Sequence, residues 1–241
     1  MKDTWTSQLV FLQEEYYIEA AMPDWPQQYT ANKAKYATVP AALRSFEKLA
    51  EIAQYLNKDY LATTLSQGLE MLANGQAAHF PMQAHRIGVI DTNYPDKIKD
   101  IGSFAQPGND PNNAGVTVWM PTGWFINKQS AKIDACKKWI DFLLSEEAWN
   151  VFTSVQKPGG PPVIKGLKLP ANAIPGILDT QQYFDSGKYK PALEFSSPIK
   201  GPNLEQLCIE VISGRMTPLD AAKAYDQDVQ KQAVLLNIPG W

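Results

Sequence analysis

Between Gly115 and Phe152 the sequence reads GVTVWMPTGWFINKQSAKIDACKKWIDFLLSEEAWNVF, and no other stretch restricts the fold as much. Val116-Thr117-Val118-Trp119-Met120 is an apolar, β-prone run that breaks at Pro121-Thr122-Gly123. Apolar residues resume at Trp124-Phe125-Ile126 and stop at Asn127-Lys128. After a short polar link, Ile133, Cys136, Ile140, Leu143 and Leu144 recur at helical spacing. Apolar runs followed by a three-to-four repeat mark a strand-to-helix unit. The break at Thr122-Gly123-Trp124 is therefore expected to carry a ligand surface, with the helix behind it as scaffold.

Around this unit the chain alternates helical stripes with short apolar pieces. Residues 3–22 are expected to be helical, with Trp5, Leu9, Leu12 and Tyr16 on one stripe and Pro23 as the stop. Asp24 to Lys35 reads as a polar, aromatic-containing loop. Helices are expected from about Val39 to Leu56, opened by Pro40, and from about Asp59 to Ala73, closed by Asn74-Gly75. Ala77 to Met82 reads as a short buried strand holding His79, and Gln83, His85 and Arg86 open a short helix or turn toward Asp91. Ile98 to Phe104 reads as a weak strand, and Gln106 to Ala114 as turn chemistry throughout. Lys157 to Ser197 is rich in Pro and Gly and reads as irregular backbone with one or two short helices. A helix over Leu204 to Ile212 stops at Gly214. Thr217-Pro218-Leu219-Asp220 then supplies a cap, a first-turn proline and an acid for a last helix to about Leu236. Helices outnumber strands and separate them, so the class is α/β or α+β with a helix-rich periphery.

Composition removes several kinds of partner. The 241 residues carry a formal net charge of -3 with 22 Lys+Arg, which leaves no basic footprint for nucleic acid. No stretch approaches the roughly 20 apolar residues of a spanning helix, and Met1 to Trp5 opens no secretion signal. Seven Trp, ten Tyr and nine Phe are the notable excess. Flat rings bury sugar faces or aromatic ligands, although core packing accounts for most of them. Cys136 and Cys208 are the two cysteines, each at an apolar position of an expected helix, where they either stay free or form one isolated disulfide.

No catalytic constellation emerges. His79 and His85 are the two histidines, and no Cys or carboxylate completes a metal set around them. Ser145 and Ser197 lack a glycine elbow. Gly159-Gly160 runs into two prolines, not into a phosphate-binding helix start. The carboxylate pairs Glu14-Glu15, Glu146-Glu147 and Asp226/Asp228 read as solvated helix faces or dipole partners. The chain is expected to be neither an enzyme nor a holder of a metal or cofactor.

Three stretches, taken in order, carry a resemblance. They are Asn74-Gly75-Gln76-Ala77-Ala78-His79, Met120 through Lys128, and Ala135-Cys136-Lys137-Lys138-Trp139-Ile140-Asp141-Phe142-Leu143-Leu144-Ser145. With Ser213 through Pro218 and the terminal Pro239-Gly240-Trp241, they resemble the C-terminal half of bacterial family 1 extracellular solute-binding proteins, the sugar-capturing components of ABC importers. The matches span residues 60–241. The resemblance implies a helix-rich α/β lobe of a periplasmic-binding-protein-like (type II) two-lobe fold, with residues 1–241 forming the C-terminal lobe and the N-terminal lobe mostly absent. It further implies a periplasmic or cell-surface (lipoprotein) location, permease subunits of an ABC transporter as partners, and a mono- or oligosaccharide held in an interlobe cleft without catalysis. His79 stands where the family commonly has Met, and His85 falls near a position often held by Trp.

Carried onto this sequence, the resemblance places Gln83, His85, Thr122, Gly123 and Trp124 at the cleft, with Trp119 and Trp5 as secondary candidates. Gly123 lets backbone approach a ligand and Trp124 offers a ring, although strand alternation equally permits a core position for Trp124. A lone lobe presents half a cleft, so weak sugar binding is expected of this chain alone. The other reading is a protein–protein interaction module that docks a permease or partner chain.

Overall fold

The computed structural model describes residues 1–119 and 123–241. In chain order its helices are α1 Leu9–Gln13, α2 Glu15–Ala21, α3 Trp25–Thr30, α4 Pro40–Ile52, α5 Leu65–Ala73, α6 Ile87–Asn93, α7 Ile133–Leu143, α8 Glu146–Val155, α9 Pro175–Leu178, α10 Gln181–Asp185, α11 Leu204–Ile212 and α12 Pro218–Leu235. Two short strands, β1 Val116–Val118 and β2 Tyr189–Pro191, pair in parallel with Thr117 opposite Lys190. The packing divides into two compact units. Unit 1 comprises Met1–Met82, Ala105–Trp119 and Tyr183–Trp241; unit 2 comprises Gln83–Phe104 and Met120–Gln182. The class is helix-rich α/β.

Local chemistry sets several helix ends in unit 1. Thr64 Oγ1 accepts from the Gln67 N–H while the Gln67 side chain accepts from the Thr64 N–H, a reciprocal cap that starts α5 at Leu65. Gly75 and Gly214 follow α5 and α11 with φ of 70° and 72°, the left-handed stop that costs glycine least. Thr217 Oγ1 accepts from the Asp220 N–H at 3.2 Å and opens α12 at Pro218. Helices α1, α4, α11 and α12 then close on an aromatic interior. Phe11 meets Phe46 edge-on at 4.7 Å between ring centroids, and Tyr36 meets Tyr225 at 5.2 Å. Trp25 and Phe46 are fully buried.

Several expectations fail in instructive ways. Asp24 to Lys35 is not a plain loop: it holds α3, six residues too short to show a period, which turns Trp25 and Tyr29 inward. Ala77 to Met82 is irregular and His79 is exposed. Ile98 to Phe104 forms a single helical turn, Ile98–Asp100, and then irregular backbone, again without strand pairing. An apolar run becomes a strand only when another strand lies beside it to take its hydrogen bonds. Such a partner was missed between Lys157 and Ser197, where Tyr189–Pro191 pairs with β1 and ends on Pro191 at the sheet edge.

The pairs Glu14-Glu15 and Asp226/Asp228 overturn their surface reading. Glu14, Glu15, Glu19 and Asp228 are all buried. Glu14 Oε1 takes the Lys48 ammonium at 2.5 Å and the Gln106 amide at 2.5 Å. Asp228 accepts from the Asn203 backbone N–H and side-chain amide at 2.9 and 2.8 Å. The half-buried Asp226 accepts from the N–H groups of Tyr36 and Ala37, both at 2.9 Å. Gly115, just ahead of β1, is a further packing constraint, because a Cβ there would land inside the Tyr16 ring. That ring is 5% exposed and anchored by its hydroxyl, which donates to Asn113 Oδ1 at 2.9 Å. Gly115→Ala is therefore expected to cost about 1–3 kcal/mol in urea unfolding, the range for overpacking a filled interior.

Unit 2 is built on less apolar burial. Ile87, Ile90, Ile98, Ile174 and Ile177 are its large buried side chains. Gly176 sits where a Cβ would strike Ile87 Cδ1, which brings α9 close to α6. Ser145 Oγ accepts from the Ala148 N–H at 3.1 Å and starts α8, with Glu146 and Glu147 in its first turn. Helix α7 keeps its helical period but buries no residue: Ile133, Cys136, Ile140 and Leu143 are only half-buried, while Trp139 and Phe142 are exposed.

Candidate ligand surface

The candidates of unit 2 stand on two segments. Gln83 precedes a single helical turn, Ala84–Arg86, that leads into α6, and its carbonyl accepts from the Arg86 N–H at 3.0 Å. Both Gln83 and His85 are half-buried. Their position is braced by the Pro-Gly loop after α8. Lys157 Nζ meets both Asp91 carboxylate oxygens at 2.8 and 3.0 Å, and a Cβ on Gly159 would come within 3.1 Å of His85 Cβ. The loop thus packs backbone against the histidine. Burial, with Arg86 adding to it, lowers the His85 pKa from 6.5. The imidazole is neutral at neutral pH, with one donor and one acceptor nitrogen, the combination that can bond a hydroxyl in both directions.

The second segment, residues 123–126, is irregular rather than the expected strand. Trp124 is 61% exposed and Phe125 94% exposed. The Phe125 ring lies 3.6 Å from where a Gly123 Cβ would stand, an ordinary contact distance, so a side chain there would meet the ring without clash. Thr122, with Met120 and Pro121, falls outside the described residues.

Unit 1 holds the remaining two candidates on separate elements. Trp119 follows β1 and is half-buried. Trp5, also half-buried, lies in the helical turn Thr4–Gln8, which packs on α11. Gln83 and His85 therefore share one turn and Gly123 and Trp124 one segment of unit 2, while Trp119 and Trp5 lie on different elements of unit 1. Phe125 and Trp139 were missed as exposed rings; both lay inside the stretch Gly115–Phe152, Phe125 in the apolar run read as strand and Trp139 on the helix behind it, outside the apolar stripe singled out there.

Chemically the surface offers rings and neutral hydrogen-bonding groups. Among the described residues no group of three His, Cys, Asp or Glu side chains is placed to hold a metal ion, and no helix is long and apolar enough to cross a membrane. A small recess in unit 1, lined by Leu12, Leu193, Glu194, Ile199, Lys200 and Tyr225, has room for about one water molecule. Cys136 and Cys208 are both free thiols, and burial raises the pKa of Cys208 far above 9.0.

Comparison with known proteins gives two findings. A family model described as bacterial extracellular solute-binding protein matches residues 5–148. A solved structure titled chitin oligosaccharide binding protein is similar in fold, with a TM-score of 0.69 at 17% sequence identity. The similarity covers 98% of this chain and 59% of that one. No curated protein sequence matches.

Proposed function

We propose, for a chain that belongs to the bacterial extracellular solute-binding protein family, that it works as the carbohydrate-binding lobe of an ABC sugar importer's receptor. The family places its members on the extracellular or periplasmic side; periplasmic or lipid-anchored cell-surface placement belongs to the proposal. Residues 1–241 form the C-terminal lobe in this reading. The chain spans 59% of the solved relative in fold, which leaves room for a second lobe there. The protein binds without catalysis, and ABC permease subunits are its partners.

The family match over residues 5–148 carries the reading. The similarity in fold to a chitin oligosaccharide binding protein supports an oligosaccharide as the ligand. The exposed ring of Trp124 suits stacking on a sugar face, and neutral His85 and the Gln83 amide suit hydroxyl groups. With one lobe providing half a cleft, calorimetry against mono- and chito-oligosaccharides is expected to give a Kd near 1 mM, about 4 kcal/mol of binding. Trp124→Ala should weaken it by up to about tenfold, the value of a ring contact beyond its area. A micromolar or tighter Kd would overturn the half-cleft argument.

A second reading, a module that docks a partner protein, is favoured by one observation. Trp124, Phe125, Trp139, Val151 and Val155 of unit 2 are each at least 59% exposed. Silence from every sugar in the calorimetric panel would favour this docking role.

A further inference from the structure

Helix α2 presents Glu15 and Glu19, one turn apart, where it packs against β2. Glu15 is 4% exposed and Glu19 7% exposed, and the Oε1 atom of each accepts no hydrogen bond. The groups facing them supply too little positive charge. Strand β2 contributes Lys190, whose Nζ lies 3.7 Å from Glu19 Oε2. The helical turn after β2 contributes Glu194, whose own cation is Lys200 at 3.0 Å. Helix α3 turns the Trp25 indole N–H toward Glu15 without closing a hydrogen bond, and Tyr29 and Tyr36 add neutral phenols. Helix α4 presents Lys48, which is committed to Glu14. Strand β1 presents only Thr117, whose hydroxyl accepts from the Tyr16 N–H and donates to the Gln13 carbonyl.

One lysine cannot neutralise two buried carboxylates, and an uncompensated charge in such a place costs several kcal/mol or is avoided by protonation. We propose that Glu15 stands in the folded chain as a neutral carboxylic acid, and that its ionisation in alkaline solution loosens α2 from β2. Unit 1 thereby carries a built-in pH-sensitive contact. The α2 start is tied to β1 through Tyr16 and Thr117, and Trp119 follows β1 directly, so the loosening extends toward a candidate ligand residue.

The electrostatics agree with the geometry. Burial, and after it the Glu19 carboxylate, push the Glu15 pKa up from 4.5 to about 8. Burial also raises Glu19, with Lys190 opposing. From about pH 4.5 to about pH 8 the folded chain holds a proton that the unfolded chain has released. Stability therefore falls as pH rises through that window and levels off above it. Asp226, raised by burial, acts in the same direction. His85, lowered in unit 2, removes stability only as pH falls below 6.5.

Equilibrium urea unfolding of the whole chain tests this, read by near-UV circular dichroism from about pH 5 to about pH 9, below the tyrosine range. The folding equilibrium constant of the wild type should fall about a thousandfold across the range, and Glu15→Gln should confine the fall to about tenfold. A flat wild-type profile, or an undiminished slope in Glu15→Gln, overturns the proposal. Infrared spectroscopy of the wild type at neutral pH gives a readout that does not depend on the variant folding. A protonated-carboxyl stretch that survives Glu19→Gln supports the neutral acid, and its absence from the wild type refutes it.

Discussion

Lys48→Ala lowers the stability of unit 1 by about 3–5 kcal/mol, the cost of leaving a buried charge without its partner. Lys48 is 7% exposed and Glu14 1% exposed, and Nζ meets Oε1 at 2.5 Å. The same ammonium donates to the Pro107 carbonyl and lies 5.3 Å from the centre of the Tyr17 ring. One side chain therefore joins α4 to α2 and to the loop that holds Gln106, whose amide also donates to Glu14. Removing the lysine strands a carboxylate in an interior with one amide to bond it. The paired replacement Lys48→Met with Glu14→Gln removes both charges, and is expected to recover most of the loss, because apolar packing replaces a buried ion pair at little cost. Urea midpoints for the two singles and the double variant measure the coupling. A loss under about 1 kcal/mol in Lys48→Ala would show the pair to be no more than a surface contact.

Phe46→Ala is the second large loss, again about 3–5 kcal/mol. Phe46 is fully buried, edge-on to Phe11 at 4.7 Å, and its ring centroid lies 6.2 Å from that of Tyr225. These rings come from α1, α4 and α12, so the cavity opens where three helices meet and none can collapse into it alone. Trp139 of α7 is the matched control: 59% exposed, it touches Phe142 at 5.6 Å between ring centroids. Trp139→Ala should therefore cost well under 1 kcal/mol, as exposed substitutions generally do. Thermal unfolding of both variants reads the contrast. Equal losses would mean that the apolar face of α7 is covered in solution.

The two variants also show how the sequence could mislead. Phe46 belongs to an apolar repeat at helical spacing that does face inward, whereas Ile133, Cys136, Ile140 and Leu143 repeat at the same spacing and none is fully buried. A period tells which residues share a face. Whether anything covers that face depends on the rest of the molecule, and α7 is left largely uncovered within unit 2. The candidate residues divide the same way. Gln83 and His85 were legible as a turn ahead of a helix, because Ala84–Arg86 follows local propensity. Trp124 was legible as a ring next to a glycine, with cleft and core equally open to it; the expected strand found no partner, and the ring is exposed. The cap at Thr64 was available in Thr64 and Gln67, yet a longer leucine repeat from Leu61 hid it; Leu61 is 45% exposed.

What the sequence settled alone was local. Pro40, Ser145, Thr217, Gly75 and Gly214 mark helix ends because a cap or a left-handed turn is made by residues within one turn of each other. The tertiary structure decided the rest. It paired Val116–Val118 with Tyr189–Pro191, and it turned Glu14 and Glu15 into an interior where one found Lys48 and the other no cation. Neighbouring acids on one helix look alike in sequence. Their chemistry diverges because burial and the charges brought in from distant elements, rather than residue type, set the cost of an ionised carboxylate.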